Sequence, residues 1–214
     1  MKALKIKVCG ITQFSQVQEL AEAGVDYAGL IFYEKSPRFI ANKISPDILK
    51  KYKRIIKVGV FVNEEIDNVL QISEAFGLDM VQLHGDESPE YCEILSTKLP
   101  VTKVFRVSGN ENLNQLVFPY HQNVNHFLFD TKAKDYGGTG LKFDWSSLKE
   151  FDHPTPFFLS GGIGPGDIFL IKDIVNEGNA DNFHAVDLNS KFETERGIKD
   201  IELLRKFIED VKSL

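Results

Sequence analysis

The sequence predicts an α/β protein: a (β/α)8 TIM barrel, closed by a parallel sheet, in a single domain over residues 1–214. Three observations predict it. Short apolar runs alternate with amphipathic stretches from end to end, the pattern of repeated strand–helix units on a parallel sheet. Eight such units fit into 214 residues, which favours closure into a barrel. The fingerprint G-x-G-x-x-G of an open, dinucleotide-binding sheet does not follow the first apolar run.

Strands are expected at 6–9, 27–32, 56–61, 80–83, 101–107, 126–130, 156–160 and 184–187. Stretches such as FLFD and FFLS are apolar with little alternation, which suits strands covered on both faces. After the first strand, Thr12 is the expected helix cap, Val17, Leu20 and Ala21 the apolar stripe, and Gly24 the stop. After the third, Asn63 is the expected cap. Glu64 and Glu65 suit its first turn, Ile66, Val69 and Leu70 form a stripe, and Gly77 ends it. After the fourth, Ser88 caps with Pro89 at the first helical position, and Tyr91, Ile94 and Leu95 follow at helical spacing. Asp200 caps the last helix, whose inner face includes Ile201, Leu204, Ile208 and Val211. Helical patterning after strands two, five and six is weaker.

Hydrophobic residues make up 43% of the chain and charged ones 26%, ordinary proportions for a globular protein. A net charge of −6 with no basic run disfavours nucleic acid as a partner. Cys9 and Cys92 are the only cysteines, so no disulfide framework is expected. Lys2, Lys5 and Lys7 interrupt the apolar residues at the start of the chain, unlike a signal peptide, and no apolar stretch approaches membrane-span length. The expectation is a cytoplasmic protein with reduced thiols and no membrane partner, either monomer or homodimer.

In such barrels the site forms at the C-terminal ends of the strands. Reading those ends in order gives Cys9, Arg38, Asn63, His84, Arg106, Asp130, the Ser160-Gly161-Gly162 run and Asp187. A lone cysteine is most often packing, but a thiol at the mouth of a site also serves as base or nucleophile. Gly161 and Gly162, followed by Pro165 and Asp167 at a helix start, suit phosphate, because loops after strands seven and eight recurrently bind it. Asn189 or Ser190 is placed to cap a short helix that completes this cup. Asp187 reads equally as substrate-binding or as a structural hydrogen-bonding group. Gly137, Gly138 and Gly140 after strand six suggest a lid, under which Asp130 would be raised from about 4 toward a useful general-acid value; the alternative for Asp130 is helix capping or an ion pair. Arg38 presents a fork suited to a carboxylate, and His84 is read as orienting a group or binding substrate. For Arg106 and Asn63 the bland readings stand: a solvated or paired charge, and a helix cap. Cys92 falls in a helix and reads as packing. The five histidines lack metal-ligand spacing, so neither metal nor cofactor is expected.

Seven stretches, KVCGIT at 7–12, SPRFI at 36–40, KVGVFVN at 57–63, VQLHGDESPEYC at 81–92, FDTKAKDYGGTG at 129–140, FFLSGGIGP at 157–165 and AVDLNSKFETERGIKD at 185–200, together resemble the phosphoribosylanthranilate isomerase family of tryptophan biosynthesis. The resemblance runs nearly end to end, in the family's order. It implies a (β/α)8 barrel and an Amadori rearrangement of a phosphorylated aminosugar, N-(5-phosphoribosyl)anthranilate, to a 1-deoxyribulose 5-phosphate. It implies Cys9 as general base, Asp130 as general acid, Arg38 at the anthranilate carboxylate, and phosphate in the loops after strands seven and eight. Two departures stand out. The family's usual Val-Asp-Val-Ser-Ser-Gly-Val-Glu is Val-Asp-Leu-Asn-Ser-Lys-Phe-Glu here, with Lys191 where the glycine stands. If that position needs positive φ, a lysine there is strained; otherwise it helps neutralise phosphate. The family's Ala-Gly-Gly is Ser-Gly-Gly, a mild change. Three rivals are a histidine-pathway aminoaldose isomerase, which carries an aspartate where Cys9 stands, a non-catalytic phosphosugar-binding barrel, and a thiol redox sensor.

Overall fold

In the computed structural model, which describes residues 3–132, 142–176 and 182–214, each of the eight apolar runs is a strand of one closed barrel. The strands are β1 (Lys5–Cys9), β2 (Tyr27–Ile31), β3 (Ile56–Phe61), β4 (Met80–Leu83), β5 (Val101–Val107), β6 (His126–Thr131), β7 (Phe157–Leu159) and β8 (Phe183–Leu188). They pair in parallel in chain order, and β8 closes on β1 with Lys7 opposite Asp187. Helices α1 (Phe14–Glu22), α2 (Pro46–Lys51), α3 (Ile66–Phe76), α4 (Pro89–Ser96), α5 (Leu113–Val117), α6 (Ile168–Asn176) and α7 (Ile201–Lys212) surround the barrel. Between β8 and α7 a small antiparallel pair, β9 (Glu193–Glu195) and β10 (Ile198–Lys199), lies outside it.

The unbroken apolar character of the strands follows from two cores. One lies between barrel and helices. The other fills the barrel with Tyr27, Val58, Met80, Val104, Leu128, Phe158 and Ala185, so the interior is packed and only its rim is open to a ligand. Weak helical patterning corresponds to short helices: α2 has six residues, α5 five, and Trp145–Glu150 after β6 is a 3₁₀ segment.

Two caps differ from expectation. The side chain of Thr12 does not cap α1; its hydroxyl donates to the Gly197 carbonyl at 2.7 Å. Asn63 does not cap α3, whose N-cap is Glu65. Asn63 sits at φ +49°, and its Oδ1 accepts from the Asp86 amide at 2.7 Å, tying the loop after β3 to the loop after β4. Ser88 and Asp200 do cap α4 and α7, accepting from the Tyr91 and Leu203 amides. Among the described residues no helix is long and apolar enough to cross a membrane.

Candidate active site

The C-terminal ends of the strands surround an open cleft. Cys9, His84, Asp130, Gly161, Gly162, Asp187 and Asn189 line it; Arg38 and Ser190 do not, although Ser36 and Asn189, close to them in sequence, do. Side chains two apart on a strand share a face, so Lys7 and Cys9 both point into the barrel from β1. Room for the thiol comes from Gly29, its neighbour in β2: a Cβ there would lie 2.8 Å from Sγ. Gly10, at φ +78°, then turns the chain beneath Arg38, whose Cδ would lie 2.5 Å from a Cβ at that position. A glycine is thus required on each side of the thiol for a different reason.

Cys9 is 5% exposed, and burial pushes its thiol above the ordinary range. Lys7 and Lys199 pull the other way, while Asp187 adds to the upward push. Asp187 accepts from Lys7 Nζ at 2.8 Å. Burial raises this carboxyl too, against the pull of Lys7, and the charge of Asp130 across the cleft adds to the rise.

At the end of β4, His84 Nδ1 lies 3.1 Å from Gln82 Nε2, and its Nε2 lies 3.3 Å from Asp130 Oδ2. An amide NH₂ can only donate, so with the amide assigned this way Nδ1 accepts and Nε2–H faces Asp130. The other carboxyl oxygen of Asp130 accepts from the Thr131 amide at 2.8 Å. His84 therefore orients the carboxyl group at the end of β6. Arg106 meets Asp86 at 2.6 Å, on the rim.

Arg38 is turned toward Glu193. Its Nε and one terminal nitrogen donate to the two carboxylate oxygens at 2.8 and 2.5 Å. Lys199, also buried, donates to Glu193 Oε1 at 2.7 Å and to Asn189 Oδ1 at 2.8 Å. Despite burial, these cations hold Glu193 down at about 2. The set Arg38–Glu193–Lys199–Asn189 ties the loop after β2 to the loop after β8.

Gly161 and Gly162 have φ of +92° and +69°, and a Cβ on Gly161 would lie 2.3 Å from Thr131 Oγ1. Side chains are excluded there, and the backbone itself faces the cleft. Pro165 and Asp167 start the helical segment as expected, with Asp167 accepting from the Gly164 amide at 2.7 Å and from Lys142 at 2.5 Å. Ser190–Phe192 forms a 3₁₀ turn with Asn189 at its N-cap position, although the Asn189 side chain bonds Lys199 instead of capping. Lys191 lies in this turn without positive φ, so it carries no left-handed strain. Its side chain faces Gly164, where a Cβ would lie 3.6 Å away.

The lid glycines Gly137, Gly138 and Gly140 lie outside the described residues. Sequence reading passed over Lys7, Glu193 and Lys199. For Lys7 a signal was present, since Lys-x-Cys at a strand end puts both groups on one face. For Glu193 there was none, as Arg38 lies 155 residues away, and the spacing of Lys199 from Asn189 and Glu193, ten and six residues back, is not that of neighbours on one helix or strand. Among the described residues, no group of three or more His, Cys, Asp or Glu side chains is placed to hold a metal ion.

A barrel with a thiol, two carboxyl groups and a double-glycine turn on one rim is a (β/α)8-barrel enzyme in its architecture. The sequence profile of N-(5'phosphoribosyl)anthranilate (PRA) isomerase matches residues 6–210. The N-(5'-phosphoribosyl)anthranilate isomerase of Parabacteroides distasonis is 38% identical over 209 residues, covering 96% of this chain and 92% of that protein. The crystal structure of phosphoribosyl anthranilate isomerase from Thermotoga maritima superposes with a TM-score of 0.84 at 32% identity, covering 99% of this chain and all of the other. Another phosphoribosyl anthranilate isomerase structure, in complex with reduced 1-(o-carboxyphenylamino)-1-deoxyribulose 5-phosphate, superposes at 0.79 with 30% identity, covering 99% and 100% of the two chains. The chain belongs to the phosphoribosylanthranilate isomerase family, and with it is an isomerase of the tryptophan pathway.

Proposed function

We propose that this isomerase converts N-(5-phosphoribosyl)anthranilate to 1-(2-carboxyphenylamino)-1-deoxyribulose 5-phosphate with Cys9 as general base and Asp130 as general acid. The observation that carries this reading is that the thiol ending β1 and the carboxyl group near the end of β6 line the same cleft. Asp130, protonated, donates to the furanose ring oxygen, and the ring opens to a Schiff base. Cys9, as thiolate, removes the proton from sugar C2, giving an enolamine that tautomerises to the ketone. The cationic Schiff-base nitrogen, arriving beside the sulfur, favours the thiolate when it is needed.

The other groups bind. The backbone at Gly161 and Gly162, with Asn189 and Ser190, holds the phosphate, and Lys191 beside Gly164 adds a positive charge. Asp187 and His84 meet the sugar, His84 also orienting Asp130. Arg38 takes the anthranilate carboxylate from the loop after β2, where Tyr33 and Ser36 line the cleft.

Generating the substrate in situ and following loss of anthranilate-type fluorescence tests the reading. The wild type is expected to turn over, and Cys9→Ala and Asp130→Ala to lose about 10²-fold or more in kcat, the scale of general acid–base catalysis. Turnover by Cys9→Ala equal to wild type would remove the base assignment. Binding of a product analogue without turnover by the wild type would define a phosphosugar-binding barrel instead.

A further inference from the structure

We infer that Lys7, which does not line the cleft, is the positioning charge that governs ionisation of Cys9 from below. This rests on the reading of Cys9 as the base. Lys7 and Cys9 are alternate residues on the inward face of β1, and Lys7 is 1% exposed. Its ammonium donates to Asp187 Oδ1 at 2.8 Å across the β1–β8 closure. An ammonium has three donors. One meets Asp187, and the ammonium and the Cys9 thiol, two residues apart on the same face of β1, interact electrostatically.

A buried ion pair is weak evidence for stability, because apolar residues of similar volume serve as well or better. Here the pair lies directly under a thiol in a closed interior, where a nearby charge is poorly screened. Asp187 keeps Lys7 charged. Burial works against the ammonium, but the charges of Asp187 and Cys9 outweigh it. The other charged groups acting on Cys9 are Lys199 from β10 and Arg38 from the loop after β2, both already bound to Glu193. Asp130 and His84 reach it through Asp187. Lys7 is thus the cation that acts on the sulfur from its own strand, while Asp187 opposes ionisation. The pair sets how far the thiolate is populated before substrate arrives.

The test uses a Cys92→Ala background, so that Cys9 is the sole thiol. Cys9 ionisation is followed by the ultraviolet absorbance of the thiolate and by alkylation rate against pH, alongside kcat/KM against pH. In Lys7→Met both the titration and the rising limb of kcat/KM are expected to move to higher pH together. At neutral pH kcat/KM falls about 10–100-fold, a tenfold loss of thiolate per pH unit, with KM within about threefold. Lys7→Arg restores most of the shift. Lys7→Met leaves Asp187 without this partner, so the titration is repeated in Lys7→Met/Asp187→Asn, where Cys9 is still expected to ionise above the wild-type midpoint. Ionisation at the wild-type pH in both folded variants would overturn the inference. The titration needs no substrate, so the two claims separate. If Cys9→Ala turns over normally while the titration moves, the base assignment falls and the coupling stands. If Cys9→Ala is inactive and the titration stays put, the coupling alone falls.

Discussion

Glu193 is the residue in which binding and stability meet most directly. Its carboxylate is nearly closed off from solvent between Arg38 and Lys199 and is held at about 2, against an ordinary 4.5. A value depressed on folding contributes stability that is complete above the unfolded value and is lost as pH falls from about 4.5 through about 2. Replacing it by Gln leaves two buried cations facing a neutral amide. Glu193→Gln is expected to lower stability at neutral pH by about 3 kcal/mol, read by urea unfolding, and to flatten the stability profile across that acid window. Arg38 shares the contact but carries a second assignment. Arg38→Ala is expected to raise KM about tenfold or more while kcat changes little, because it removes a bidentate partner for the substrate carboxylate. Unchanged KM and kcat would confine Arg38 to holding Glu193.

At the scale of elements, the loop after β8 tests what a departure from the family pattern means. Lys191 stands where the family resemblance leads one to expect glycine, and a lysine at positive φ would be strained. The 3₁₀ turn Ser190–Phe192 does not use that conformation, so restoring glycine relieves nothing. Lys191→Gly is expected to lose about 0.5–1 kcal/mol through backbone entropy. Both Lys191→Gly and Lys191→Ala are expected to raise KM several-fold with kcat unchanged, an effect that shrinks in high salt. A gain in stability for Lys191→Gly would restore the strained reading. Strands were legible because burial on both faces leaves a continuous apolar signature: β3, β4 and β5 fall at their expected bounds, and the others shift by one residue at one or both ends. Caps were less legible. Thr12 and Asn63 have the chemistry of caps, but their side-chain oxygens are bonded to Gly197 and Asp86, far away in sequence. The same distance hid Glu193, since it is 155 residues from Arg38. A local pattern shows which face a side chain takes; the partner that meets it comes from chain closure.

Over the whole molecule, chemistry and stability separate along the barrel axis. Cys9, Asp130 and the glycine turn occupy the C-terminal end of the strands, in a cleft. At the opposite end, Tyr27 and His126 open β2 and β6, and His184 is the second residue of β8, next to the packed interior. The Tyr27 hydroxyl is 2.7 Å from His184 Nε2, and the His126 and His184 rings lie 4.7 Å apart. Polar groups at that end brace the barrel, since in this architecture the N-terminal face serves stability. Tyr27→Phe removes the part-buried hydrogen bond with His184 and the longer one from Lys5 Nζ at 3.3 Å, and keeps the ring against Phe158. It is expected to cost about 1 kcal/mol, a fall in Tm of about 2–4 °C for a chain this size, with kcat/KM unchanged. Cys9→Ala is expected to do the reverse, losing turnover while Tm changes little, because it removes one sulfur that lines the cleft and belongs to neither packed core. Measuring Tm and kcat/KM on both variants checks the partition. A drop in kcat/KM for Tyr27→Phe beyond about threefold would mean that the packed layer between the two ends transmits strain to the rim, and that barrel closure at β8 and β1, where Lys7 and Asp187 meet, is part of the catalytic geometry.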